Sequence, residues 1–296
     1  MPLEERWQMT GSGPEAYERH LVPAIFAPWA TVLLDLARLQ PAERVLDAAC
    51  GTGVVARAAG SRVGASGTVT GVDLNPGMLD VARALAREAG QAIAWREGNL
   101  EALPFADGAF DVVLCQQGLQ FCPNKAAAVS ELRRVLREGG RLALSVWRDI
   151  RHFPYMVAIT SALADHVGAE ASQRMRAPCS FGNADALRTL MKQGGFKDVR
   201  VRIDVLPMRV GPLEAFLPAQ FVASPIARPS KRWTSVLGTR FLMTSGAGSR
   251  PIWTMRDLPF PSKPTRSSRL DRIIRDAWLE PLGLTVTGIF RRAQRW

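Results

Sequence analysis

The segment Val45–Val55, VLDAACGTGVV, limits what this chain can fold into more than any other. An apolar run ends in an acid, Asp47, and two glycines, Gly51 and Gly53, flank a threonine before a second apolar run begins. A strand ending there, a turn that uses glycine's positive φ and a helix that starts at once make half of a nucleotide-binding unit. The helix start offers unpaired backbone N–H groups to a carboxylate or phosphate. A dinucleotide fingerprint would carry a third glycine, but Val54 and Val55 stand in that stretch. The ligand sought must need the glycine turn and tolerate a carboxylate at the strand's end.

The surrounding pattern supports a nucleotide fold. Strand signals at Arg44–Asp47, Thr68–Asp73, Ile93–Glu97, Phe110–Cys115 and Arg141–Val146 alternate with helix signals at about Val54–Ala59, Pro76–Ala89 and Lys125–Leu136. Such alternation predicts an α/β, Rossmann-like doubly wound fold, with a mainly parallel sheet and helices on both faces. Upstream, apolar residues at three- and four-residue steps (Leu21, Ile25, Trp29, Leu33, Leu36) predict a helix over Pro14–Leu39, an N-terminal lid. Its longest apolar run, Leu21–Leu34, is too short to span a bilayer and is interrupted by Pro23 and Pro28. Downstream, helices near Tyr155–Val167 and Ala184–Gln193 precede a turn and an alternating strand, GGFKDVRVRIDV. The expected division is a helical cap over 1–40, a catalytic α/β domain over 41–227 and an irregular basic tail over 228–296.

Three further features strengthen the nucleotide reading. Asp73 ends the second strand about 20 residues past the glycines, where an acid accepts hydrogen bonds from ribose hydroxyls. Asn99 follows the third strand in EGNLEALPF, and the fourth strand runs into the polar loop CQQGLQF. Each has a plainer role open to it: Asp73 as a helix cap, Asn99 as a turn residue, the glutamines as surface polars. In order and spacing, VLDAACGTG, GVDLNPGML, EGNLEALPFADGAFDVVLCQQGLQF and ELRRVLREGGRLALSVW together resemble the class I S-adenosylmethionine (SAM)-dependent methyltransferases, most closely the small-molecule branch that includes quinone-biosynthesis enzymes.

That resemblance implies SAM as cofactor, a ligand with an ammonium and a sulfonium but no pyrophosphate. It implies Asp47 on the ammonium, Ala49, Gly51 and Gly53 around the methionine portion, and Asp73 on the ribose. Leu74 and Met78 would lie against the adenine, with Asn99 and Leu100 at its edge, and Cys115 would lend a backbone carbonyl. Asn99 stands where aspartate is common, keeping an acceptor oxygen without the charge. The N-terminal lid would bring Tyr17 and His20 towards the acceptor, joined by Gln116, Gln117 and Gln120 from the loop after the fourth strand. That loop lacks the acid and proline pair of amino-directed nucleic-acid methyltransferases. The implied reaction is O- or C-methylation of a small, apolar or aromatic acceptor, with no general base identified. An RNA or protein methyltransferase using the basic tail, and an inactive SAM-binding protein, are the alternatives.

Charge bears on those alternatives. Of the net +11, fourteen Lys and Arg and four Asp and Glu fall after residue 227, so the motif-bearing part is close to neutral. This distribution argues against nucleic acid as the partner of the α/β domain. Four scattered cysteines and three scattered histidines suggest reduced thiols, no metal site and a cytoplasmic setting. The tail itself is odd. Codons for Ser230–Ser235 can be chosen so that the frame one base earlier spells Leu-Glu-Glu-Met-Asp-Val, and those for Trp253–Thr265 likewise hide an acidic and amphipathic string. A frameshifted translation from about Arg228 onward would make the tail's positive charge an accident of reading frame.

Overall fold

A computed structural model describes Met9 and residues 11–208, 213–224 and 283–292. Its seven-stranded sheet comprises β1 (Arg44–Ala48), β2 (Thr68–Asp73), β3 (Ile93–Glu97), β4 (Phe110–Gln116), β5 (Leu136–Trp147), β6 (Phe196–Leu206) and β7 (Gly283–Arg292). They lie in the order β3-β2-β1-β4-β5-β7-β6. The first five pair in parallel, while β7 runs antiparallel to both β5 and β6. The order reverses between β1 and β4. In an open α/β sheet, ligands bind beyond the strand ends at such a switch point.

Alternation along each strand divides the core. On one face Leu46, Val113, Cys115, Leu142 and Leu144 pack with Leu132 and Val135 of helix Lys125–Val135 and with Leu187 and Met191 of helix Ala184–Gln193. On the other, Val45, Val112, Leu114 and Ala143 pack with Leu33, Leu34 and Ala37 and with Val55, Ala56 and Ala59 of helix Val54–Val63. Successive side chains of a strand point to opposite faces, so neighbours such as Val45 and Leu46 serve different layers. These strands therefore read as continuous apolar runs rather than half-polar ones.

The N-terminal helix runs continuously over Gly13–Ala37 and is by length and composition apolar enough to cross a membrane. This corrects the expectation that Pro23 and Pro28 interrupt it. The stretch Tyr17–Phe26 is wound as a π-helix, whose wider turns accommodate Pro23, and Pro28 falls where regular α-helix resumes. Its C-terminal half is spent on the sheet, where Leu33, Leu34 and Ala37 are buried.

Two boundaries also differ from expectation. Helix Val54–Val63 continues past Ala59 because Gly60 fits inside it, and β5 begins at Leu136 instead of Arg141, with Gly139 at φ +72°. The larger correction concerns the tail. Residues 283–292 are not irregular: they form β7 and close the gap between β5 and β6, with Phe290 fully buried against Phe196. The sheet thus draws a strand from beyond residue 227. Residues 228–282 and 293–296, on which most of the tail and frameshift reading falls, lie outside the described residues.

Candidate functional site

A large cavity opens over the switch point, lined by the ends of β1, β2 and β4, the N-terminal helix and residues from helices Pro154–His166 and Leu213–Val222. Asp47, Ala49, Gly51, Asp73, Leu74, Met78, Asn99, Leu100, Tyr17 and Gln116 all line it. Residues that the sequence scatters over 100 positions therefore meet in one place.

The turn after β1 is built from left-handed backbone, with Ala49 at φ +59°, Gly51 at +54° and Gly53 at +83°. The two glycines do different work. A Cβ on Gly51 would meet nothing nearer than the Tyr17 hydroxyl at 4.0 Å, so glycine there serves the positive φ and leaves the cavity floor open. A Cβ on Gly53 would come within 2.4 Å of the Trp95 ring and 3.3 Å of Ala82. Gly53 does not itself line the cavity; it lets the helix start pack under β3.

Asp73 holds this turn in place. Its two carboxylate oxygens accept the Gly51 N–H at 2.8 Å and the Asn75 N–H at 2.9 Å. Asn75, not Asp73, caps helix Pro76–Glu88, its side chain accepting from the Met78 N–H at 3.2 Å. Burial raises the Asp73 carboxyl above the usual range, against the pull of these N–H donors.

Asp47 is 1% exposed. One of its oxygens accepts the Ala56 N–H at 2.9 Å from the first turn of the next helix, and Oδ1 has no partner. Burial, with the Asp73 carboxylate adding to it, pushes its carboxyl up to about 7. An unpartnered carboxylate oxygen on a cavity wall is a costly arrangement unless a cation completes it. Asn99 accepts the Glu101 N–H at 3.1 Å, so it fixes a turn as well as lining the cavity.

Three more of the expected residues lie off the cavity wall. Cys115 is wholly buried between strands and does not line the cavity. His20 lies outside it, in a shallow groove with Glu15, Arg19 and Val222, because the winding of Tyr17–Phe26 turns Tyr17 inward and His20 away. Gln120 is buried in the short turn Leu119–Phe121 and also lies off the cavity. Gln117 lines the wall, as does Cys50 beside the glycine turn. The remainder of the wall is aromatic and apolar. Trp147 makes edge contacts with Phe26, Trp29 and Phe153 at ring-centroid distances of 6.2, 6.0 and 5.6 Å. Tyr155 donates to Gln220 across the chamber, and burial pushes its hydroxyl pKa up. Burial and then the neighbouring Glu18 carboxylate do the same at Tyr17.

The lid is tied down at three points. Arg57 Nη2 donates to Glu18 at 2.8 Å while Nη1 donates to the carbonyl of Thr52 in the glycine turn. Gln116 donates to the Phe26 carbonyl and Asn75 to the Met9 carbonyl, both at 2.9 Å.

Comparison with known proteins agrees with this geometry. A family model described as "Methyltransferase domain" matches residues 46–144. Uncharacterized protein Rv1405c of Mycobacterium tuberculosis is 36% identical over 146 residues, covering 49% of this chain and 52% of that protein. The ubiquinone/menaquinone biosynthesis C-methyltransferase UbiE of Shewanella pealeana is 30% identical over 187 residues, covering 58% of this chain and 73% of the relative. The chain spans about half the length of the mycobacterial relatives it matches. The YcgJ protein of Bacillus subtilis shares the fold, with a TM-score of 0.55 at 18% identity, over 90% of this chain and 98% of its own.

Proposed function

Because the chain belongs to the class I SAM-dependent methyltransferases, we propose that it transfers a methyl group from SAM to an oxygen or carbon atom of a small, apolar or aromatic acceptor. The observation that carries this reading is that one cavity combines the Asp47–Gly51–Asp73 constellation with an aromatic chamber. The residues present fit the cofactor. The unpartnered Oδ1 of Asp47 matches an ammonium, and Gly51 leaves room against the backbone. Asp73 retains lone pairs for hydroxyls, while Leu74, Met78 and Leu100 offer apolar surface beside Asn99.

When bound, SAM supplies a methyl group on a sulfonium, a carbon already activated for displacement. The chain's own task is then alignment and the exclusion of water, so proximity carries much of the rate. The Arg57 bridge fixes the lid to the glycine turn, and the tryptophan and phenylalanine walls keep the chamber dry. Burial holds Asp47 at about 7, raises the tyrosine hydroxyls and lifts the Cys179 thiol to about 12. The acceptor atom must be nucleophilic in itself or give up its proton easily, as a phenol or enol does. The name of the Shewanella relative favours carbon of a ring compound. Incubation with methyl-labelled SAM and a panel of phenols, naphthols and quinols tests the proposal. Label transfer to one class supports it, and its absence across the panel with SAM bound would refute it.

A further inference from the structure

Gln117 carries three costs at one position. Its backbone sits at φ +48°, left-handed for a residue with a side chain. The residue lines the cavity yet is only 4% exposed, and its amide is buried with neither Oε1 nor Nε2 partnered. The backbone cannot relax: its N–H donates to the Ser145 carbonyl at 2.9 Å, and next to it a Cβ on Gly118 would lie 2.5 Å from that of Ala49. A glycine would relieve the strain, and an apolar side chain would avoid the unmade hydrogen bonds. Resting on the reading proposed above, we infer that the Gln117 amide is a specificity-determining contact for the methyl acceptor. The acceptor is a neutral, flat aromatic compound with a hydrogen-bond donor and an acceptor oxygen on adjacent ring positions.

Most other amide and hydroxyl side chains of the cavity are already engaged, although Gln116 Oε1, like Asp47 Oδ1, has no partner. Tyr155 donates to Gln220, Gln220 to the Met156 sulfur, and Asn75 and Asn99 cap turns. Gln117 keeps its full amide, with C=O and NH2 side by side in one plane, the complement of a paired donor and acceptor. Adjacent Gln116 donates to the Phe26 carbonyl, and Phe26 is part of the aromatic wall, so the residue next to Gln117 touches the chamber that takes a flat ring. Among the described residues no Lys, Arg or His lines the cavity, whereas Asp47 and Asp73 do. An anionic acceptor would find no counter-charge there, so the compound is neutral.

The test uses the full chain loaded with S-adenosylhomocysteine and two probes of similar shape, 2,3-dihydroxynaphthalene and 2,3-dimethylnaphthalene. Binding is followed by quenching of tryptophan fluorescence. In Gln117→Met and Gln117→Gly the ratio of the two affinities shifts at least tenfold towards the dimethyl probe, while S-adenosylhomocysteine affinity stays within twofold. Gln117→Gly melts no lower than the wild type, which a merely structural glutamine would not allow. An unchanged ratio in both variants overturns the inference. So does a loss of S-adenosylhomocysteine binding, which would give the amide to the cofactor. If the wild type binds no S-adenosylhomocysteine, the proposed function fails, and the probe ratio measured on the unliganded chain still decides the role of Gln117.

Discussion

Asp47 makes the cofactor affinity depend on pH in a way that can be worked from the structure. Its carboxyl is held at about 7 in the free protein because it is buried with one oxygen unpartnered. An ammonium needs the ionised form, so below pH 7 binding must first expel the proton. Affinity for SAM then falls towards a limiting tenfold per pH unit, roughly 16-fold between pH 7 and 5.5. At pH 6 about 0.9 proton is released on binding, measurable by calorimetry in buffers of different ionisation enthalpy. Above about pH 8 the ligand's own α-amino group deprotonates and affinity falls again. The stability of the free protein runs the other way. The unfolded chain loses this proton near pH 4 and the folded chain near 7, so folding stability declines as pH rises across that window, by up to about 4 kcal/mol. Asp47→Asn removes that penalty. It is therefore more stable than the wild type at pH 8, yet it binds SAM roughly 30-fold more weakly and without the acid limb. An affinity flat from pH 5.5 to 7.5, or an acid limb that survives in Asp47→Asn, would refute the assignment.

Other perturbations follow from the same geometry. Gly53→Ala forces a methyl group against Trp95 in a backbone at φ +83°, and should lower stability by about 2 kcal/mol or more in urea titration. Leu132→Ala empties a fully buried site on the opposite face of the sheet. It should cost about 2–5 kcal/mol with SAM affinity per folded molecule unchanged. Glu18→Gln breaks the Arg57 bridge between lid and glycine turn, and stopped-flow should show faster SAM dissociation with little change in melting temperature. Sequencing the gene across codons 228–265 tests the frameshift proposal: codons that spell the hidden acidic strings one base earlier support it, and any other codons end it.

What the sequence made legible was local. The strands around Asp47 and Asp73 and the glycine turn are short-range patterns, and their ends fall within a residue or two of expectation. β7 was invisible because its place between β5 and β6 depends on pairing with strands far away in the sequence, and its buried Thr285 and Thr287 blur the apolar alternation. The same reason hid the aromatic chamber, since Trp29, Trp147 and Phe153 meet only after the lid has packed. Which of Gln116, Gln117 and Gln120 reach the cavity was a matter of phase: Gln116 and Gln117 line it, and the turn at Leu119–Phe121 carries Gln120 off it.

The most direct test of the central claim is a calorimetric titration of the purified chain with SAM at pH 7.5, beside Asp73→Ala. Asp73 ties the glycine turn to the start of helix Pro76–Glu88 by accepting the Gly51 and Asn75 N–H groups, so the account predicts one-to-one binding in the wild type and at least tenfold weaker binding in the variant. A folded wild-type protein that binds no SAM, or an Asp73→Ala variant that binds it equally well, would contradict the account.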